Sequence, residues 1–600
     1  MTEKNIETIR HSFAHVLASA VYQMFPEAKF GIGPTIEDGF YYDFELPRTL
    51  IPEDLEIIES KMKDIIKSGV KFEGKQIKIA EAKKFFEEAK QPYKIELIAD
   101  LEKKEKSRRS DAADVGIPTN ASGKVTIYKT GDFVDLCSGP HVDSTKDLNL
   151  KSFKLTSIAG AYWKGNENNA MLQRIYGVAF ENEKDLKKYM QEEEEAKKRD
   201  HRLINKTMDL FSISDEVGAG FVMLHPNGAM IRHEIEKYWK DEHLKNGYQL
   251  VYTPHVGRVG LWKKSGHWDH YREMMYPSMK IDKVEYLLKP MNCPFHVMIY
   301  KSHLHSYKEL PIKLAEIGTV YRYEKPGVLH GLLRVRMITQ DDAHIFCRPE
   351  QVEEEVAKVY DLSKEMLTKF GFKKFEIELA LRDEANKKNY IGSEANWKKA
   401  EEALRAVLKK KNLKFKEGPG EAKFYGPAID IKLLDALGRP WQGPTIQVDF
   451  NFPEKFNLTY IDEHGKKQRV AMIHRTVLGA IGERFIGNLI EHYAGLFPLW
   501  LAPEQVRVLI ISDKFKKFGE TIVKELVESG IRAKLDDSNE SLGKKIRNAE
   551  LQKINYMLII GEKEEKAGTV SVRNNSKGDL GSMTIKKLSN KLLTEIKQKK

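Results

Sequence analysis

Over residues 1–22 apolar side chains fall at helical spacing, with Ile9, Phe13, Val16 and Leu17 on one stripe and His11 and His15 on the polar face. The pattern predicts an amphipathic helix. Glycines and aromatics then alternate through FGIGPTIEDGFYYDF, which predicts short strands and turns. A second helical pattern runs from Pro52 to Ser68. Residues 101–123 lose apolar periodicity and end in turn formers, so they read as an exposed basic loop. Residues 183–208 are heavily charged, and Glu193–Lys197 and Glu194–Lys198 stand at the i,i+4 spacing of a solvated helix. This stretch reads as one connecting helix. From Asp209 to about Pro498 helices mix with β-rich runs such as YQLVYTP and AIDIKLL. After Leu499 the rhythm changes again. VRVLIIS, GIRAKLDD, NYMLIIG and TVSVR read as strands, with helices at 515–529, 541–554 and 585–598, which predicts a small α/β domain with a mostly parallel sheet.

At 600 residues the chain is too long for one core, and the breaks in pattern divide it into 1–183, a linker helix 184–208, 209–500 and 501–600. Hydrophobic content of 41% and charged content of 31% describe a soluble globular protein. No apolar run approaches the ~18 residues of a membrane span, and the N-terminus MTEKNIETIR is charged throughout. These features exclude a membrane-spanning protein and point to the cytoplasm. Three cysteines cannot build a disulfide framework, so those that matter are thiols or metal ligands. The excess of 99 basic over 88 acidic residues, a net charge of +11, favours a polyanionic partner such as nucleic acid.

Two sets of residues carry chemistry. Cys293 in KPMNCP, His344 in TQDDAHIFC and His474 in MIHR are soft donors far apart in sequence. A Cys/His/His set suits tetrahedral zinc with one position open, as in catalytic sites. Spacing alone does not establish it, because most of the 18 histidines are expected on the surface or in hydrogen-bonded core positions. Near the N-terminus, His11 and His15 share one helical face, and CSGPH adds Cys137 and His141 just after Asp135. This second set reads either as a closed zinc site or as a metal-free pocket that positions a water to attack an ester.

HSFAH, GPTIEDGFYYD, DLCSGPHV and AGAYWKG together resemble the editing domain of threonyl-tRNA synthetases, related to that of alanyl-tRNA synthetases. The resemblance implies that His11, His15, Cys137 and His141 line a pocket that hydrolyses mischarged seryl-tRNA with water as nucleophile. Asp135 and Lys94 match further positions of that pocket. The central region resembles a class II catalytic domain. GAMIRHEIEKYWKDEHLKNGYQLVYTP is similar to the first class II motif, which implies a homodimer interface. Tyr321-Arg322-Tyr323-Glu324, with the loop KPGVLHG and LLRVRMITQDDAHIFC, is similar to the second. Joining a carboxylate to the α-phosphate of ATP, bound with Mg2+, crowds negative charges and calls for a fixed guanidinium fork. The match assigns Arg322 to the α-phosphate, Glu324 to the adenine amino group and Arg334 to the reacting groups. LGAIGERFIG is similar to the third motif and assigns Arg484 to the adenine or the γ-phosphate. From His474 to Arg484 the chain is one residue longer than the family pattern, with Gly482 the extra residue, which a helix bulge could absorb. Ala428 and Met337 stand where the family has lysine and glycine.

By the same resemblance Cys293, His344 and His474 hold one zinc per subunit, and Gln340, Asp342, Tyr425 and Gln447 complete the amino acid pocket. Asp342 is expected to accept from the threonine hydroxyl. Shape separates near-isosteres such as valine and threonine by only about a hundredfold in synthetases. An open zinc position that takes amine and hydroxyl together rejects valine but admits serine, so an editing site in the same chain is expected. Residues 501–600 resemble the anticodon-binding domain of several class II enzymes, with Asn539, Lys563, Glu564 and Arg573 at base-reading positions. The small domain that usually precedes HSxAH in the family is absent, since ten residues come before His11. The implied fold is α+β multidomain: a class II antiparallel-sheet catalytic core, an α+β editing domain and a C-terminal α/β anticodon domain. The implied activity is the formation of threonyl-adenylate from L-threonine and ATP, transfer to tRNA(Thr), and clearance of seryl-tRNA(Thr). The rivals are a non-catalytic RNA-binding paralogue and a stand-alone hydrolase of mischarged tRNA.

Overall fold

The computed structural model describes residues 3–106, 123–435 and 437–599. The chain divides into two compact units, Met1–Glu194 and Glu195–Lys600. The division falls inside the helix Glu183–Arg199. A single connecting helix was expected there, and the structure has two. The second, His201–Met208, starts afresh because the Asp200 carboxylate accepts the Arg202 N–H at 2.8 Å and caps it. Of the predicted loop at 101–123, residues 101–106 instead finish the helix Pro92–Lys106, and 107–122 lie outside the described residues.

In the first unit the helix Glu3–Met24 lies across an antiparallel sheet ordered Lys29–Phe30, Gly39–Glu45, Met171–Ala179, Phe153–Tyr162. Phe13, Val16 and Leu17 bury against Phe40, Tyr42 and Ile175, as their spacing predicted. The expected helix at Pro52–Ser68 forms from Asp54, with Ile58, Met62, Ile65 and Ile66 buried. A second antiparallel sheet, Phe72–Lys78, Lys124–Thr130 and Phe133–Leu136, ends one residue before Cys137.

The second unit is built on an eight-stranded sheet. Its order is Gln249–Leu250, Ile312–Tyr321, Met337–Cys347, Ala471–Thr476, Pro440–Asp449, Ala428–Leu434, Phe375–Leu381, Lys416–Pro419. The five inner pairings are antiparallel and the two outermost parallel. Alternation along Met337–Cys347 sends Ala343, Ile345 and Cys347 into a core shared with the helices Val352–Lys369 and Glu394–Lys410. Each large aliphatic side chain so buried contributes about 1.5–3 kcal/mol. Gln340, Asp342 and His344 project from the opposite face, and that face carries the chemistry. Of the β-rich run YQLVYTP only Gln249–Leu250 forms a strand, after the helix Pro226–Lys245.

The sheet nearest the C-terminus is ordered Ala533–Asp536, Val506–Ile510, Tyr556–Ile560, Thr569–Asn574, Gly578–Thr584. Two of its pairings are parallel and two antiparallel, so it is mixed rather than mostly parallel. The miss is local. GDLGSMT lacks the β-branched alternation of a strand, yet it pairs with Thr569–Asn574 as an edge. No helix among the described residues is long and apolar enough to cross a membrane.

Candidate active sites

Three donors far apart in sequence meet because of strand register. His344 and His474 are direct cross-strand partners, and Gln447 faces His474 from the other side. Cys293 opens the helix Cys293–Lys301, and one ligand atom each of Cys293, His344 and His474 lies within 4.8 Å of the others. Each imidazole has one nitrogen already engaged. His344 Nδ1 lies 2.8 Å from His296 Nδ1, and His296 Nε2 lies 3.1 Å from Glu316 Oε1. His474 Nε2 lies 2.9 Å from Asp449 Oδ2. The second nitrogen of each ring is left for the cluster, the arrangement that fixes tautomer and ring plane in metal sites. Burial, with Asp342 and Asp449 nearby, pushes the Cys293 thiol well above its usual range, and burial holds His344 in the neutral form. Sequence reasoning missed His296, although Cys293 and His296 stand one helical turn apart in CPFH.

These donors open into a cavity of about 540 Å³ that also presents Arg322, Gln340, Asp342, Tyr425, Gln447 and Arg484. Asp342 accepts from Asn292 Nδ2 at 3.0 Å, and burial raises its pKa. Gln447 Nε2 donates to Gly426 O at 2.7 Å, and Tyr425 is 4% exposed. Among the described residues the Arg322 guanidinium is tethered by neutral groups alone, at 3.4 Å from Pro290 O and 3.1 Å from Met291 Sδ. Arg484 donates to Leu333 O at 3.0 Å, and burial with the Arg322 and Arg334 charges lowers its pKa. Glu324 and Arg334 stand outside the cavity wall, paired with each other at 3.2 Å. The expected helix bulge at Gly482 is absent. The extra residue is taken up in the turns before the helix Arg484–Tyr493, where Gly482 N donates to Thr339 O at 3.2 Å. A β-carbon at Gly482 would come 2.7 Å from Thr339 Cβ, so the close approach requires glycine. Ala428 begins its strand opposite Gln447, and Met337 begins its strand opposite Tyr321.

In the first unit, His11, His15, Cys137 and His141 come together with ligand atoms within 4.8 Å. Cys137 Sγ lies 3.3 Å from both His11 Nε2 and His141 Nε2, and His141 Nδ1 is held 3.2 Å from Ser12 Oγ. The face assigned as polar from the sequence is therefore turned inward, with His15 only 2% exposed. Behind it, Asp135 pairs with Lys94 Nζ at 2.5 Å and accepts from Tyr42 OH at 2.5 Å. His15 Nε2 lies 3.7 Å from the same carboxylate, and its buried Nδ1 has no hydrogen-bond partner among the described residues. Tyr42 was missed because its sequence context reads only as strand. Burial, reinforced by Asp135, pushes the Cys137 thiol up to about 12. Burial also depresses His11, His15 and His141, so all three rings are neutral at pH 7.

That depression has a consequence for stability. The folded cluster refuses protons that the unfolded chain takes up below the ordinary histidine value of 6.5. Its contribution is therefore complete above that value and is lost as pH falls through it. Hydrogen exchange at the helix Glu3–Met24, corrected for intrinsic rates, should show protection declining below pH 6.5. A His15→Gln, His141→Gln variant should decline less steeply. An unchanged slope in that variant would contradict the assignment.

The base-reading candidates are less closely grouped. Asn539 and Lys563 are exposed just beyond the carboxyl ends of the parallel strands Ala533–Asp536 and Tyr556–Ile560. Glu564 is internally satisfied, accepting from Gly561 N and Ser571 Oγ at 3.0 and 2.8 Å. Arg573 sits opposite Met557, near the amino end of that strand, and pairs with Glu550 at 3.1 Å.

Comparison with known proteins agrees with this geometry. The family model described as tRNA synthetase class II core domain (G, H, P, S and T) matches residues 278–493. The model for an anticodon binding domain matches 505–595, and that for the threonyl and alanyl tRNA synthetase second additional domain matches 125–176. A threonine–tRNA ligase of Dehalococcoides mccartyi (strain CBDB1) is 51% identical over 595 residues, covering 99% of this chain and 97% of that protein. One from a Sulfurihydrogenibium species is 51% identical over 97% of this chain and 87% of its own length. A crystal structure of the RNA binding domain of threonyl-tRNA synthetase from Cryptosporidium parvum superposes with a TM-score of 0.63 at 38% identity, covering 66% of this chain and 98% of that one. With full-length identity of this order, and with both constellations assembled in space, the chain belongs to the threonine–tRNA ligase family.

Proposed function

We propose that the cavity of the second unit makes threonyl-adenylate and threonyl-tRNA, and that the cluster of the first unit hydrolyses seryl-tRNA made in error. As a member of the family the chain is an enzyme that joins threonine to tRNA with ATP and edits the product. The observation that carries the residue assignment is one cavity wall that holds both the three metal donors and the guanidiniums of Arg322 and Arg484. Arg322 and Arg484 repel each other there, and a bound triphosphate with its Mg2+ relieves that repulsion. Arg322 steadies the α-phosphate as the threonine carboxylate attacks it, while Glu324 and Arg334 close over adenine and the reacting groups from the rim. Asp342 accepts a hydrogen bond from the threonine hydroxyl, and Gln340, Tyr425 and Gln447 bound the pocket around it.

Cys293, His344 and His474 fit a catalytic zinc, since two imidazoles with engaged outer nitrogens and one buried thiol form a three-donor set. Zinc bound there supplies a Lewis-acid position that selects ligands bearing both amine and hydroxyl. Purified protein should carry about one zinc per chain. Cys293→Ser should lower zinc content and threonine activation together; full zinc in that variant would remove Cys293 from the set. A second zinc lost on Cys137→Ser would mark the editing cluster as a metal site too. Without one, the protonated Cys137 thiol and neutral His11, His15 and His141 serve as a hydrogen-bonding cradle for an attacking water, with Lys94 and Asp135 fixing it from behind.

The helix Pro226–Lys245 and the segment that follows the strand Gln249–Leu250 leave Leu244 and Tyr252 exposed, at 55% and 81%, which supports the homodimer contact of the first class II motif. Residues 1–183 form the editing domain, 184–208 the linker, 209–500 the catalytic domain and 501–600 the anticodon domain. Asn539, Lys563, Glu564 and Arg573 are assigned to the anticodon bases, with Asn539 and Lys563 beyond the carboxyl ends of the parallel strands and Arg573 near the amino end of Tyr556–Ile560. Such an enzyme works in the cytoplasm alongside its tRNA.

A further inference from the structure

A buried cluster beside the synthetic cavity is used by none of the steps above. His201, first residue of the helix His201–Met208, is wholly buried. Its Nε2 lies 3.0 Å from the backbone nitrogen of Leu332, and its Nδ1 lies 2.9 Å from Glu491 Oε1. A backbone N–H can only donate, so Nε2 accepts, and Nδ1 carries the proton and gives it to the carboxylate. The other Glu491 oxygen accepts from Arg439 Nη2 at 2.6 Å, and Arg439 Nε donates to Asp435 Oδ2 at 2.7 Å. Asp200, His201 and Glu491 present donors within 4.8 Å of one another, as a metal site would. Here the imidazole lone pair is already taken by Leu332, so the ring is a brace.

What it braces is the loop between the strands Ile312–Tyr321 and Met337–Cys347. Gly331 has φ +47°, and a β-carbon there would come 2.1 Å from His201 Nε2, so the loop is built against this ring. Two residues further on, Leu333 O receives the hydrogen bond of Arg484 Nε, and Arg334 follows immediately. Glu491 and Arg484 stand on the same helix, seven residues apart and so on one face. One ring therefore ties the loop to the helix that carries Arg484.

We propose that His201 is a positioning residue for adenylation: through Leu332 and Glu491 it holds the 325–334 loop and the Arg484 helix in the register that the nucleotide requires. The inference rests on the assignment of Arg322, Arg334 and Arg484 to ATP. His201→Gln puts an amide oxygen near the Nε2 position and keeps an acceptor for Leu332, whereas His201→Phe keeps the volume and offers none. In ATP–pyrophosphate exchange by the full chain, H201F should raise KM for ATP about tenfold, the scale of one lost buried hydrogen bond. KM for threonine and zinc content should be unchanged, and H201Q should recover most of the loss. Amide hydrogen exchange at residues 331–334 should be faster in H201F than in H201Q. Should H201F fail to fold, E491Q, which weakens the acceptor of Nδ1–H, should raise KM for ATP in the same direction. Equal effects of H201F on both KM values, or no advantage of H201Q over H201F, would overturn the proposal. Normal exchange in Arg322→Ala would instead sink the nucleotide assignment itself, and a silent H201F beside a crippled Arg322→Ala would sink this inference alone.

Discussion

Arg322→Ala should lower threonine-dependent ATP–pyrophosphate exchange by at least ~100-fold, the scale on which removing one donor to a developing charge acts. Zinc content should be retained, because the substitution removes no donor of the Cys293, His344, His474 set. The size of the effect follows from the surroundings of the side chain. Among the described residues no carboxylate lies within ion-pair distance of Arg322; it is tethered by a carbonyl and a thioether and lies over the Tyr271 ring at 5.6 Å. Its charge is thus kept for a ligand. Arg334 differs, since Glu324 already partly neutralises it and its side chain is 52% exposed. Arg334→Ala should therefore cost less than Arg322→Ala. A near-normal exchange rate in Arg322→Ala would mean that the α-phosphate contact belongs to another side chain.

The second large effect is expected in the first unit. His11→Ala with His15→Ala should leave threonine charging intact while seryl-tRNA accumulates. The two sites belong to separate compact units and do opposite chemistry. Serine offers the same amine and hydroxyl as threonine, so the synthetic pocket makes some seryl-tRNA in any case. Removing both rings takes away two of the three neutral imidazoles of the cluster and leaves only His141 beside Cys137. Cys137, pushed up to about 12, is too weakly acidic to supply a thiolate at pH 7. Equal serine and threonine end-points in wild type and variant would argue that clearance happens elsewhere.

The sequence was most legible where chemistry demands unusual residue types. CSGPH and HSFAH marked the cluster proposed for editing, and the structure places a ligand atom of each of the four side chains within 4.8 Å of the others. Cys293, His344 and His474 could be named from their contexts, but only the register of Met337–Cys347 against Ala471–Thr476 explains why they meet. The residues behind them were not legible. Asp449, His296 and Tyr42 act through geometry alone, and each has an ordinary apolar or strand-like context in the sequence. His201 was hidden in the same way, inside a stretch whose charge pattern read as one solvated helix. Asp200 breaks that helix by capping a new one, and the break carries His201 into the core. Gly482 was legible as an extra residue but not as a close contact, because its constraint comes from Thr339 across the sheet. The C-terminal sheet was misjudged for a different reason. Local periodicity identifies strands but not their direction, and Thr569–Asn574 returns antiparallel.

One chain is thus proposed to hold a synthetic site whose errors a second, independent site removes. Single-turnover hydrolysis of preformed seryl-tRNA tests it most directly, with the His11→Ala, His15→Ala variant and Arg322→Ala compared in parallel. The double variant should fail to clear the ester, while Arg322→Ala, impaired in adenylation, should clear it at the wild-type rate. Clearance at the wild-type rate by the double variant would contradict the two-site proposal.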